Sequence, residues 1–161
     1  MSIEPCESVS DPGLDFCIGW FSVGRTEELK NGAVTRVKAF DRELALYRTR
    51  SGVAVIQDAF CPHLGAHLGV EGRVIGESIR CPFHGWRYDT KGQCIEIPYC
   101  DEIPDRAKIR TWPSCEVNGD IMVWYHPEEK EPQWEVPVLE EFTSDDWAPV
   151  QTWEFTIPNH V

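Results

Sequence analysis

"CPHLGAHLG" at residues 61–69 and "CPFHGWRYD" at residues 81–89 decide how this chain is read. Each brings one cysteine and one histidine close together: Cys61 with His63, and Cys81 with His84, with 17 residues between His63 and Cys81. One C-x-H carries no information. Two Cys/His pairs, C-x-H and C-x-x-H, each with proline after the cysteine and glycine close by, describe two loops around a shared metal centre. Pro62 and Pro82 stiffen the backbone after each cysteine. Gly65, Gly69 and Gly85 allow close backbone approach, and are expected to bring amides onto the sulfurs.

Two metal readings compete. A structural zinc module would pair like with like, cysteine with cysteine and then histidine with histidine three to five residues apart. Here each short stretch supplies one of each. That suits a two-iron, two-sulfide cluster with both thiolates on one iron and both imidazoles on the other, the Rieske arrangement. Charge explains the histidines. Two ferric ions and two sulfides sum to +2; four thiolates would take the cluster to −2, whereas two thiolates and two neutral imidazoles leave it neutral. A neutral cluster accepts an electron more readily, so its potential lies above that of all-cysteine ferredoxins. The electron should settle on the histidine-bound iron and leave by the exposed imidazole edges.

Composition narrows the rest. At 161 residues and 42% hydrophobic content the chain can build one core and the edge of a second. A net charge of −12 leaves no basic face for nucleic acid. Residues 128–146 hold eight Asp and Glu against Lys130, an ordinary solvated run or a docking segment for a basic redox partner. No apolar run is long enough to span a membrane, and "MSIEPCESVSDPG" lacks the features of a signal peptide. A cytoplasmic location is expected, with the seven cysteines reduced or metal-bound.

Short strands separated by turn residues give an all-β class of small antiparallel sheets. Strands are expected at 16–24 and 33–40. A hairpin runs from 43–50 through Ser51-Gly52 to 53–60. A turn at 89–92 precedes a strand at 93–98. "CEVNGDIMVWYH" (115–126) is a hairpin about the type I′ pair Asn118-Gly119. The divisions are an N-terminal lead-in (1–15), a cluster domain (16–126, its cluster-binding subdomain about 60–100), an acidic Pro-rich linker or surface-hugging arm (127–149), and the first part of a further domain (150–161).

"CPHLGAHL" and "CPFHGWRYD" resemble the cluster boxes of Rieske non-haem iron oxygenases. Respiratory Rieske proteins carry an extra cysteine in each box, joined as a disulfide; the matching positions here are Ala66 and Phe83. The serine that bonds a bridging sulfide in those proteins is matched by Trp86. Both departures imply a potential at the low end of the Rieske range, about −150 mV, with Tyr88 keeping a hydroxyl nearby. "IPYCDEIPDRAKIRTWPSCEVNGDIMVWYH" and "EPQWEVPVLEEF" are similar to the subgroup acting on steroids, the sterol 7-desaturases and 3-ketosteroid 9α-hydroxylase oxygenase components.

That resemblance implies the ISP-like Rieske fold, with Cys61, His63, Cys81 and His84 holding the cluster and Gly65, Gly85, Trp86 and Tyr88 around it. It implies electrons drawn from an NAD(P)H-dependent reductase or ferredoxin. They would pass to a mononuclear Fe(II) in a C-terminal oxygenase domain, across the homotrimer that the full-length family members imply, where a steroid-like substrate is hydroxylated or desaturated. That iron needs two histidines and a carboxylate, which His67, His126 and His160 do not supply. His67 is expected in a loop near the cluster and His126 in a structural role. Cys17, Cys94 and Cys115 are read as small buried hydrophobes, and Trp20, Trp112 and Trp124 as packing residues. A stand-alone Rieske ferredoxin, an electron carrier with no catalytic iron, is the alternative.

Overall fold

The computed structural model describes residues 16–148 together with 151 and 153. Cys6, His160 and nearly all of the strand expected at 150–161 lie outside the described residues. The order begins with strands β1 (Gly19–Arg25), β2 (Val34–Ala39), β3 (Arg42–Arg48) and β4 (Ala54–Asp58). A one-turn helix α1 (Leu68–Glu71) and strands β5 (Arg73–Ile75), β6 (Ser78–Arg80), β7 (Arg87–Tyr88) and β8 (Cys94–Glu96) follow. Strands β9 (Thr111–Trp112), β10 (Ser114–Val117) and β11 (Asp120–Tyr125) complete the sheets, and a 3₁₀ turn covers Glu140–Phe142. All pairings are antiparallel, in three sheets ordered β1-β11-β10, β2-β3-β4-β9 and β5-β6-β7-β8.

The middle sheet is covered on both sides. Along β3, Leu44 and Leu46 join one core with Ile56, Trp112, Ile121 and Val123, under the β1-β11-β10 sheet. Ala45 and Tyr47 point the other way, into a second core with Val55, Leu68, Ile79 and Tyr88. Successive strand residues face opposite sides, so a strand covered on both faces reads as the unbroken apolar run "LALY" rather than as alternation.

The hairpin about Asn118-Gly119 forms as the sequence indicates, with φ of +52° and +78° at its two turn residues. The strand expected over 33–40 stops at Ala39, because Phe40 and Asp41 form a tight turn at φ +54° and +51°. A phenylalanine in that region is strained. It is held by rings on several sides: Phe40 lies 4.5 Å from Tyr125, 5.1 Å from Phe21 and 5.6 Å from Trp112, centroid to centroid. The acidic arm lies along the outer sheet. Trp20 and Trp124 donate their indole N–H to the carbonyls of Trp134 and Lys130, and Asn118 donates to that of Pro137. Trp112 and Trp124 are buried packing residues as expected, and so is His126, whose Nδ1 accepts from the Glu128 amide. Cys17 is a correction: it is exposed, while Cys94 is buried and Cys115 half-buried.

One side chain missed in the sequence closes the sandwich. Arg48, at the end of β3, is 6% exposed. Its Nε donates to the Leu29 carbonyl at 2.6 Å, Nη1 to that of Gly52 at 2.7 Å and Nη2 to that of Thr26 at 3.2 Å. The fork also grips Glu116 of β10, with bonds of 2.8 and 2.6 Å. A charge this buried survives only fully bonded. The hydrogen bonds from Arg48 hold the Glu116 carboxyl below the usual carboxylate range.

We expect Arg48→Met to lower the unfolding free energy by about 3 kcal/mol, the low end for breaking a buried pair because Glu116 is partly exposed; urea denaturation measures it. Since the folded pKa of Glu116 is lowered, its contribution is complete above the unfolded value of about 4.3 and is lost as pH falls through the folded value. Glu116→Gln should therefore flatten the acid limb of stability against pH.

Candidate metal centre

The two Cys/His stretches fold into loops with the same hydrogen-bond scheme. In the first, the Cys61 amide donates to the Ala66 carbonyl at 2.9 Å and the Gly65 amide to the Cys61 carbonyl at 2.8 Å. In the second, the Cys81 amide donates to the Trp86 carbonyl at 2.7 Å and the Gly85 amide to the Cys81 carbonyl at 3.2 Å. Each loop thus closes between its cysteine and the fifth residue on, with glycine in fourth place at φ +72° (Gly65) or +77° (Gly85). Aligning "CPHLGA" with "CPFHGW" shows the shared C-P-x-x-G, a signal available in the sequence. Only the histidine differs in place, the second residue after the cysteine in one loop and the third in the other.

Gly65 and Gly85 shape the loops and do not themselves donate to sulfur. Gly65 and Gly85 spend their amides on cysteine carbonyls. The amides that reach the sulfurs belong to His63, for Cys61, and to Phe83 and His84, for Cys81. Gly69 is elsewhere, packed in α1 where a Cβ would sit 3.0 Å from the Thr35 carbonyl. His67 is likewise outside the cluster loops' interior. It caps α1 by accepting from the Gly69 amide at 3.0 Å, and its Nε2 lies 3.3 Å from Glu43.

The loops bring the four expected residues together as two pairs. Cys61 and Cys81 are 2% and 3% exposed, and their side chains hydrogen-bond one another. That bond, with the Tyr88 hydroxyl and the His63 amide, draws Cys61 down to about 6 against the effect of burial, while Cys81 is pushed up. The imidazoles of His63 and His84 stand nearer the surface, ring centroids 4.7 Å apart at 68°. His84 Nδ1 is shielded from water and has no hydrogen-bond partner, an arrangement that costs about 1–3 kcal/mol unless a ligand takes the nitrogen.

These observations test what the site can hold. Among the described residues no three His, Cys, Asp or Glu side chains converge where a single ion could sit. The donors stand as a soft thiol pair and an imidazole pair, a set that would give one pair to each of two irons, and the orphaned Nδ1 of His84 is the kind of atom a metal would satisfy. The residues fit a two-iron cluster better than one zinc ion.

The surroundings also match in part. The Tyr88 hydroxyl is 3.1 Å from Cys61 Sγ. Trp86, 8% exposed, stacks on His63 at 4.6 Å and 6°, and its indole N–H donates to the Tyr99 hydroxyl at 2.7 Å. Trp86 therefore braces an imidazole, whereas serine at that place in respiratory Rieske proteins bonds a sulfide. Phe83 and Leu64 are each 63% exposed beside the histidines. Tyr99 was missed because it lies outside both boxes, ten positions beyond the end of the second. An open cavity of about 830 Å³ lies against His84, bounded by Phe83, Pro98 and Tyr99.

Comparison with known proteins agrees with this geometry. The family profile described as "Rieske [2Fe-2S] domain" matches residues 19–113. The chain is 47% identical to "Cholesterol 7-desaturase nvd" of Xenopus laevis, over 81% of this chain and 29% of that protein. It is 36% identical to "3-ketosteroid-9-alpha-monooxygenase, oxygenase component" of Rhodococcus rhodochrous, over 83% of this chain and 35% of that one. Among solved structures, apo dicamba monooxygenase superposes with a TM-score of 0.70 at 28% identity, covering 79% of this chain and 39% of that one. The chain spans under a third of the Xenopus relative.

Gly65→Ala and Gly85→Ala should differ. Both force alanine into the left-handed region, about 1–2 kcal/mol of strain. At Gly65 the added methyl meets nothing within 4 Å, whereas at Gly85 it meets Pro98 at 3.0 Å and Arg80 at 2.9 Å. We expect Gly85→Ala to lose more stability and more bound iron than Gly65→Ala, measured by denaturation and iron analysis after reconstitution.

Proposed function

The chain belongs to the Rieske [2Fe-2S] domain family, and we propose that it is the electron inlet of an oxygenase acting on a steroid-like substrate. Cys61 and Cys81 would hold one iron and His63 and His84 the other. The observation carrying this is the two matched loops, which place a buried thiol pair behind a half-buried imidazole pair, with the orphaned Nδ1 of His84 among them.

When bound, the cluster supplies one-electron redox chemistry. The chain's own residues set its conditions. The Tyr88 hydroxyl, donating to Cys61 Sγ, draws charge off the sulfur and favours the reduced state. The amides of His63, Phe83 and His84 act in the same direction. Trp86 shields one face of His63 from water and, tied to Tyr99, keeps the ring from turning. Burial of the cysteines and exposure of the histidine side set the direction of electron exit toward the surface at His84.

In the proposed organisation, residues 16–126 form the cluster domain, with the cluster-binding part at about 60–100. Residues 127–149 lead, as an acidic arm, toward a domain beginning near 150. Catalysis would belong to a mononuclear iron in that domain, fed by an NAD(P)H-dependent reductase or ferredoxin, with transfer between the subunits of a homotrimer. The names of the two steroid-acting relatives support the substrate class. A cytoplasmic setting goes with this reading; no helix among the described residues is long and apolar enough to cross a membrane.

The test is analytical and electrochemical. The purified chain should be brown, with two irons and two acid-labile sulfides per chain. His84→Cys should keep a cluster and lower its potential sharply, because a thiolate replaces a neutral ligand. A titration showing no downward shift refutes His84 as a ligand, and a colourless zinc-loaded chain refutes the reading as a whole.

A further inference from the structure

Tyr99 belongs to neither cluster loop, yet the fold sets its hydroxyl against one of them. It stands in a turn closed by the Cys100 amide, which donates to the Ile97 carbonyl at 3.1 Å. Ile97, 6% exposed, anchors that turn in the core behind the cluster loops. Pro98 seats it against the second loop, where a Cβ at Gly85 would come within 3.0 Å of the proline ring. Tyr99 itself is 61% exposed, so its ring adds little to the core. Its hydroxyl accepts the Trp86 indole N–H at 2.7 Å. An exposed phenol thus holds a buried indole.

Only the side chain of Trp86 is left to be placed. Its carbonyl accepts from the Cys81 amide at 2.7 Å, which ties its backbone to the loop. Its indole lies on His63 face to face, centroids 4.6 Å apart and 6° from parallel. A buried N–H without a partner is costly, so the Tyr99 oxygen selects the orientation in which the indole covers the imidazole. Tyr99 also approaches His63 directly, centroids 6.5 Å apart at 43°, a looser arrangement than the indole stack.

Resting on the reading of His63 as a cluster ligand, we propose that Tyr99 is a positioning residue that holds the potential of the cluster down, acting through Trp86 on His63. Reduction brings in one electron from an outside reductant, takes the centre from neutral to one negative charge, and makes or breaks no bond. Two effects of the indole oppose that electron. It excludes water from one side of the imidazole, and water stabilises the charged reduced centre more than the neutral oxidised one. Its π face is negative, so it suits an imidazole drained of charge by a ferric ion better than one on a ferrous ion. The bond to Tyr99 draws the N–H proton outward and leaves the ring richer in electrons. Each effect favours the oxidised state. Tyr88 works in the opposite sense, because its hydroxyl, 3.1 Å from Cys61 Sγ, draws charge off a sulfur. The two tyrosines therefore carry opposed signs.

The test is a redox titration of the full chain with its cluster loaded, at pH 7, with dithionite as reductant and the cluster's visible absorbance as the signal. At the midpoint of the unsubstituted chain, Tyr99→Phe is expected to raise the ratio of reduced to oxidised cluster about threefold, or about 30 mV at 59 mV per tenfold. Tyr88→Phe should lower that ratio. In a Trp86→Phe background, which lacks the indole N–H, Tyr99→Phe should leave the potential where it was. The chain without its cluster gives a second reading. The indole N–H resonance that disappears in Trp86→Phe should shift in Tyr99→Phe and exchange faster with water. Four outcomes overturn the proposal and leave the cluster assignment standing: a potential unmoved by Tyr99→Phe, a fall in melting temperature as its sole effect, a shift of the same sign in Tyr88→Phe, or a rise that persists in the Trp86→Phe background. A chain that binds no two-iron cluster overturns the assignment of His63 and the proposal with it.

Discussion

From Leu44 to Arg48, strand β3 has no face turned to water, and the placement of both halves of the molecule follows from that. Leu44 and Leu46 are committed to the core under the β1-β11-β10 sheet, and Ala45 and Tyr47 to the core behind the cluster loops. A slip of one residue would exchange those sets, putting leucines where alanine and tyrosine fit and the reverse. Register is therefore fixed twice over, and Arg48 fixes the strand's end by gathering the carbonyls of Thr26, Leu29 and Gly52 with Glu116 around one guanidinium. Because Tyr47 shares a core with Ile79 and Tyr88, the platform carrying the second loop is keyed to the same strand. The cluster loops are short and glycine-bearing; their precision comes from what stands behind them.

How much of this could be read in the sequence depends on the range of the interaction. The cluster boxes were legible because metal ligation repeats residue types at short spacing, and the Asn118-Gly119 hairpin because a type I′ turn requires positive φ at both places. The turn at Phe40-Asp41 was hidden, since the residues themselves disfavour that conformation and only the surrounding rings sustain it. Arg48 reads as a surface residue until Glu116, 68 positions away, is brought beside it. Strand β9 has two residues and no periodicity of its own; it exists because Ile56 and Gln57 of β4 offer it an edge. Tyr99 was out of reach because only the fold brings its hydroxyl to Trp86, 13 positions away.

The charge of the chain is arranged as well as large. Residues 128–146 hold eight acids and one lysine, more than half of the net −12. That stretch runs along the outer sheet, tied to it through Trp20, Asn118 and Trp124. Between it and the cluster loops lies the middle sheet, whose two faces serve the two cores. Residues 61–100 balance four basic side chains, Arg73, Arg80, Arg87 and Lys91, against four acids, Glu71, Glu77, Asp89 and Glu96. The molecule is thus polar along one axis, strongly negative at the arm and near neutral where the histidines reach the surface. With two thiolates and two imidazoles as ligands, the proposed oxidised cluster would be neutral and would suit that neutral end, because an added electron would meet less repulsion there than beside the arm. Distance from the arm would then preserve the advantage that imidazole ligands confer, and β3, which holds the two ends apart, keeps that distance fixed.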